Sequence, residues 1–412
     1  MQKQRSEKMW QRKSVHIHFK DEDMDFNLFW ALANVAHRGA EIGEIFYIAN
    51  RIKDGDPASW AYEWTQYAAA LEQTASALEQ KGHVQSAGEI RLRAFTYYRT
   101  GSVGQRPSQP ESRSTYDRLR HCFRRGVQLL NLPVEAVEVP YRGITLSGYF
   151  SKGMGNGPRP TIITTHGGEM FSEDLFFWIG RTGMQRGYNI LSLDTPGGPG
   201  IRFIAPDQHV RPYFEGGIQT LSDYALSRSE TDPKRVAVMG FSGGGYFGMR
   251  LTSLDKRINA LIASAPIYDL YALAASEFPP ALQKAPAFVG DALLKVAASL
   301  SPMTKVAMER VLWASGVNRV SELLALMKEA GAIDPHGIDC PVLCLTGEGE
   351  SKMQNAQAQH VFETLRNARK AFYLFKQNEG ADAHCQVNNL TRLQEVTFDW
   401  LDDIFDLKNI MT

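Results

Sequence analysis

The sequence predicts an α/β fold, with a mostly parallel sheet covered by helices, a helical N-terminal domain and a helical cap insertion. Three observations lead there. Beyond about residue 131, short apolar runs alternate with helical segments, the pattern of strands buried under helices on both faces. Before that point, apolar residues recur at helix-like spacings. Late in the chain, Gly240-Phe241-Ser242-Gly243-Gly244 joins an apolar strand-like run to a helix-like one.

Taken in order, residues 1–20 are polar and basic, with Trp10 and isolated valine and isoleucine, and lack the apolar stretch of a secretory signal. Residues 21 to about 125 read as helical. Phe26, Phe29, Trp30 and Val35 recur at helical spacings, as do Trp60, Trp64, Tyr67 and Leu71, and helix–helix packing is their expected role. Ala68-Ala69-Ala70 and Ala75-Ser76-Ala77 supply strong helix formers. Gly82 and Gly88 are expected to mark the boundary before a third helix around 89–98, and 101–114, rich in Gly, Pro, Ser and Gln, is expected as a loop.

The strands follow. Residues 134–140 and 144–150 form an expected antiparallel pair turning at Tyr141-Arg142-Gly143; 161–165, 189–193, 236–239, 258–263, 342–345 and 371–375 complete the sheet. Residues 268–332 are too long for a connection and predict a cap. Asp194-Thr195-Pro196-Gly197-Gly198-Pro199-Gly200 is glycine-rich, but its prolines remove N–H donors that a phosphate cradle needs, so it is expected as a loop near a pocket mouth. A helix over 388–405 closes the chain.

The chain has 412 residues, 43% hydrophobic and 22% charged, as in an ordinary water-exposed globular protein. Its 45 basic and 45 acidic residues balance, which argues against a dedicated nucleic-acid surface. Cys122, Cys340, Cys344 and Cys385 are too scattered for a disulfide framework or a zinc site, so reduced thiols in a cytoplasmic protein are expected. No run approaches the roughly 18 apolar residues of a membrane span.

Ser242 is the centre of the predicted chemistry. A serine is a weak nucleophile unless a base, an acid behind the base and an oxyanion hole assist it. The strand-turn-helix setting of the Gly-x-Ser-x-Gly motif is that of a nucleophile elbow, after which the partners should follow in the order acid, then histidine. His384, in the loop after the last predicted strand, is the expected base. In Thr346-Gly347-Glu348-Gly349-Glu350-Ser351 the acid is expected at Glu350, with Glu348 the runner-up and Asp334 and Asp339 weaker candidates. The oxyanion hole is expected from the backbone N–H groups of Gly243 and of Gly168, in His166-Gly167-Gly168-Glu169. His166 should shape that loop and not act as a base. Glu169 is singled out because a carboxylate beside an oxyanion hole is costly unless it is protonated or binds substrate.

The elbow, the His-Gly-Gly-Glu loop, the Gly-Glu-Gly-Glu segment and Gly380-Ala381-Asp382-Ala383-His384-Cys385-Gln386 together resemble one branch of the α/β-hydrolases. That branch holds the fungal yellowish-green heptaketide hydrolases, bacterial polyketide-shortening hydrolases, 2,6-dihydroxypseudooxynicotine hydrolase and fermentation–respiration-switch-like esterases. The resemblance extends to Trp60-Ala61-Tyr62-Glu63-Trp64 in the helical part. It implies an α/β-hydrolase fold, with a lid-forming N-terminal domain over 1–130 and a catalytic domain over 131–412. It also implies Ser242 as nucleophile, His384 as base and Glu169 as a substrate-positioning acid. The sequence departs from the branch in placing Glu350 where relatives commonly carry Asp. The implied reaction is cleavage of a carbon–carbon bond in a 1,3-dicarbonyl or polyketide-type substrate, with a carboxylesterase, thioesterase or peptidase-like hydrolase on the same residues as the alternative. No metal or other cofactor is expected. The expected partner is a small-molecule substrate, without nucleic acid or membrane, and a homodimer is the assembly considered.

Overall fold

The computed structural model describes residues 16–196, 198–205, 218–276, 291 and 301–407. Expectations that fall on 1–15, on Gly197, and on 277–290 and 292–300 of the predicted cap lie outside the described residues.

Five helices come first. In α1 (Glu22–Ala33) the Asp21 carboxylate accepts the Met24 N–H, and Glu22, Asp23 and Asp25 place negative charge at the positive end of the helix dipole. After α2 (Ile42–Ala49), α3 (Pro57–Gln80) opens with Asp56 as cap and proline in its first turn. Then α4 (Val84–Ser102) and α5 (Pro110–Leu129) run longer than the sequence suggests. Gly88 lies inside α4, where a Cβ would stand 2.7 Å from Leu130 Cγ; it marks a close helix crossing, not a boundary. The expected loop over 101–114 shrinks to 103–109, because Gly101 continues α4 and Pro110 starts α5. Trp60 and Trp64 are fully buried, and Trp60 Nε1 donates to the Thr100 carbonyl at 2.7 Å, so these aromatics are packing residues.

Among the described residues one sheet of eight strands follows, in the order β1-β2-β4-β3-β5-β6-β7-β8. The strands are β1 (Val134–Tyr141), β2 (Ile144–Ser151), β3 (Arg159–Thr165), β4 (Asn189–Leu193), β5 (Thr231–Phe241), β6 (Ala260–Ser264), β7 (Val342–Gly347) and β8 (Lys370–Phe375). β1 and β2 are joined by Arg142 and Gly143, both left-handed at φ 45° and 83°, the two-residue turn whose twist suits a hairpin. β2 is antiparallel to β4, and every later pairing is parallel.

Alternate strand residues feed two cores. Ile162, Ala237, Met239 and Ile262 join the aromatics of α1, α3, α4 and α5 in one apolar cluster. Ile163, Val236, Val238 and Leu261 face the other side, against α8 (Gln219–Ser227) and α9 (Gly243–Leu254). Between β3 and β4 a π-helical turn (Phe176–Gly180) runs into α6 (Arg181–Gln185), and α7 (Pro199–Ile204) follows β4. The described parts of the predicted cap are α10 (Leu270–Ser276), α11 (Pro302–Ala314) and α12 (Val320–Ala330). α13 (Lys352–Thr364) and α14 (Leu390–Ile404) complete the chain. No described helix is long and apolar enough to cross a membrane.

Candidate active site

β5 ends at Phe241, and Ser242 takes φ 57° and ψ −127°, a conformation rare for a residue with a side chain. Hydrogen bonds hold it there: the Ser242 N–H donates to the Ser264 carbonyl at 3.0 Å, and its own carbonyl accepts from Gly245 at 2.8 Å. The turn needs small neighbours. A Cβ on Gly244 would fall on the Thr165 carbonyl, and one on Gly240 would fall on the Gly244 carbonyl. The strain therefore sits where the backbone of three strands closes around one serine.

His384 lies in a short 3-10 turn beyond β8. Its Nε2 is 2.9 Å from Ser242 Oγ, and its Nδ1 is 2.8 Å and 2.9 Å from the two Glu350 oxygens. A carboxylate only accepts, so Nδ1 carries the proton and Nε2 is left to accept the Ser242 hydroxyl. The Glu350 side chain is 3% exposed. Burial opposes protonation of His384, but the Cys385 sulfur and the Glu350 carboxylate beside the ring outweigh it and raise the pKa well above the ordinary histidine value. Cys385 Sγ is 3.6 Å from the same Nε2.

The other acid candidates point elsewhere. Glu348 is exposed and accepts the Gln377 N–H at 2.8 Å. Asp334 caps a 3-10 turn and Asp339 pairs with Lys256, both at the surface. His166 is buried between the Gly167 and Leu193 carbonyls, and burial lowers its pKa.

The loop after β3 faces the serine. A Cβ on Gly167 would stand 2.8 Å from Ser242 Cβ and 3.3 Å from Gly243 N, so this glycine lets the loop approach the elbow. Gly168 and Gly243 line the same cavity as Ser242, and neither N–H has a hydrogen-bond partner among the described residues.

Glu169 also lines that cavity. Arg99 of α4 donates to the Glu169 carbonyl at 2.9 Å, pairs with Asp174 at 3.1 Å, and lies 3.5 Å over the Trp30 ring. Arg310 of α11 is buried, donates to the Val103 carbonyl at 2.7 Å, and is pushed down to about 10 by burial while the Glu169 charge acts the other way. A carboxylate in this place thus has a third way to be tolerated, a nearby guanidinium. Nothing in the local sequence around Glu169 marks Arg99 or Arg310, which reach the site from distant helices.

The cavity holds about 280 Å³. Asp23 and Asn27 of α1 line it, as do apolar side chains of α11 and α12. The segment beginning at Asp194, expected at a pocket mouth, contributes nothing to this lining among its described residues. Asp194 is instead fully buried, accepts from the Ser172 N–H at 3.0 Å, and is pushed up to about 7 by burial and the nearby Glu173 charge. Its carboxylate needs interior partners, which draws the loop inward. Among the described residues no cluster of His, Cys, Asp and Glu could hold a metal ion.

The fold and the strand-turn-helix serine define an α/β-hydrolase, and this chain is a hydrolase of that class. Residues 52–314 match the family described as esterase FrsA-like, and the chain belongs to that family. It is similar to alpha/beta hydrolase xenA of Xenoacremonium sinensis, 28% identical over 93% of this chain and 97% of the relative. It is also similar to 20-hydroxy-prefusarin hydrolase FUS2 of Gibberella moniliformis, 27% identical over 96% of this chain and 99% of the relative. The crystal structure of 2,6-dihydroxy-pseudo-oxynicotine hydrolase shares the fold at a TM-score of 0.69 and 18% identity, covering 92% of this chain and 97% of that one.

Proposed function

We propose that the chain is a serine hydrolase that cuts a carbon–carbon bond of a 1,3-dicarbonyl or polyketide-type substrate through an acyl-enzyme. The observation that carries the reading is the His384 ring, which bridges Ser242 Oγ and Glu350 at 2.9 Å and 2.8 Å. The resemblance to the polyketide-processing branch supports the substrate class, and the FUS2 relative is named for hydrolysis of 20-hydroxy-prefusarin.

In this mechanism Ser242 Oγ bonds to one ketone carbon as its proton passes to His384 Nε2. The carbonyl oxygen becomes an alkoxide facing the Gly243 and Gly168 N–H groups, whose fixed dipoles need no reorganisation to meet the developing charge. Collapse re-forms the carbonyl and breaks the bond to the neighbouring carbon. The electron pair goes to that fragment, where the second carbonyl delocalises it as an enolate, and the His384 imidazolium supplies the proton. Water then attacks the acyl-enzyme as His384 takes its proton, the bond from Ser242 Oγ to the acyl carbon breaks, His384 returns the proton to Oγ, and a carboxylic acid leaves. Glu169 positions the substrate beside the oxyanion site, and the N-terminal helices act as a lid. The family description favours one second reading, ester hydrolysis, which needs only the first and last of these steps.

Benzoylacetone separates the readings from activated esters. Carbon–carbon cleavage gives benzoate with acetone, or acetate with acetophenone. Glu169 is given the positioning of the diketone, and a misplacement of about 1 Å can cost roughly 10²-fold. Glu169→Gln is therefore expected to depress diketone cleavage by about 10²-fold and to spare p-nitrophenyl acetate hydrolysis. Equal loss on both substrates would assign Glu169 to the shape of the loop, and no diketone cleavage by the unaltered protein would leave the esterase reading.

A further inference from the structure

The walls of the cavity differ in chemistry. On α11 and α12 they are hydrocarbon and thioether, from Met308, Val311, Leu323 and Met327. On α1 they are polar: Asp23 and Asn27, four residues apart and so on one helix face. Asp23 is already engaged, its carboxylate accepting the Thr304 hydroxyl of α11 at 3.0 Å. Asn27 differs. Its amide nitrogen donates to the Asp23 carbonyl at 2.8 Å, which fixes the side chain, but its Oδ1 has no partner among the described residues. The residue is 6% exposed and lines the cavity that holds Ser242, so its amide oxygen is available to a donor that enters that cavity. An acceptor on a largely buried side chain gains from such a donor.

We infer that Asn27 is a specificity-determining residue, which accepts a hydrogen bond from a hydroxyl of the substrate while α11 and α12 take its hydrocarbon part. This rests on the proposed serine-hydrolase site, since the cavity is defined as its substrate pocket by Ser242. The substrate class is narrowed to a dicarbonyl chain or ring that bears a free hydroxyl. A site built to pair a hydroxyl discriminates against the analogue lacking it, because the buried acceptor is then left unpaired.

Binding tests this without turnover. On Ser242→Ala protein, titration calorimetry would compare benzoylacetone with its 3-hydroxyphenyl and 4-hydroxyphenyl analogues. A net hydrogen bond predicts that one hydroxylated compound binds about three- to tenfold more tightly than benzoylacetone. In Ser242→Ala/Asn27→Leu that preference is expected to disappear, with the affinity for benzoylacetone kept or improved, which also shows that the pocket is intact. Asn27→Ser, shorter and still polar, provides a second variant and should likewise lose the preference. Equal affinities on the Asn27 protein, or an undiminished preference in both variants, would overturn the assignment. Turnover of benzoylacetone by Ser242→Ala would instead overturn the serine-hydrolase reading, so the two failures are distinguishable.

Discussion

At the scale of residues, the separation of Glu350 from Glu348 is the sharpest result. The two lie two positions apart in one loop, yet one is buried against His384 Nδ1 and the other faces solvent and caps Gln377. Glu350→Gln keeps the shape but removes the charge and turns one accepting oxygen into an N–H donor that can hold His384 in the wrong tautomer, and is expected to lower kcat by roughly three to four orders of magnitude; Glu348→Gln should act mildly. The pH profile adds an independent check. The base works only when neutral, and its pKa is raised, so activity should be lost as pH falls through a value above the usual 6.5. Removing the Glu350 charge takes away a stabiliser of the imidazolium, so the residual activity of Glu350→Gln should hold to lower pH. An unchanged acid limb in the pH–rate profile would argue against this pairing. Ser242, His384 and Glu350, three residues after Gly347, could be proposed from the sequence because this fold carries those residue types in that order along the chain. Arg99, Arg310 and Asn27 were not, since their distance from the serine in sequence says nothing of their distance in space.

At the scale of elements, all eight strands were legible: inner strands such as β3, β4 and β7 are buried and largely apolar, while the edge strand β1 alternates exposed and buried residues. The errors fell on glycines in the helical part. A glycine absent for flexibility and one absent of a side chain for packing look alike in sequence, and Gly88 and Gly101 are of the second kind: their missing Cβ atoms would stand 2.7 Å and 2.8 Å from Leu130 and Thr65. Propensity alone favours a break there, and tertiary contact overrides it. The same sterics give a prediction at the elbow. Gly244→Ala would drive a methyl group into the Thr165 carbonyl of β3, and overpacking of this kind costs typically about 1–3 kcal/mol or more. Urea unfolding should show a lower midpoint, and fluorophosphonate labelling of Ser242 should slow as the loop after β3 is displaced from the serine. A variant as stable and as reactive as the parent would mean that the strand and helix can separate at no cost.

At the scale of the whole molecule, the cavity belongs to no single stretch of chain. α1 and α11 meet through Asp23 and Thr304, 281 positions apart, and Arg310 fastens α11 to the end of α4. Arg99 carries the connection onward to the loop beside the serine. The helical part and the sheet also share one apolar cluster, so the first third of the chain does not pack as an independent layer. The Asp23–Thr304 bond has a kinetic consequence. Contacts of such sequence separation carry a loop-closure entropy that local contacts do not, which favours their forming late in folding. Chain diluted from denaturant should therefore regain far-ultraviolet circular dichroism before its serine becomes reactive toward a fluorophosphonate, with a measurable interval between the two signals. Coincident recovery would mean that the pocket is assembled in the same step as the sheet. A delay would mean that a newly made molecule passes through a state whose helices and strands are already formed and whose serine cannot yet react.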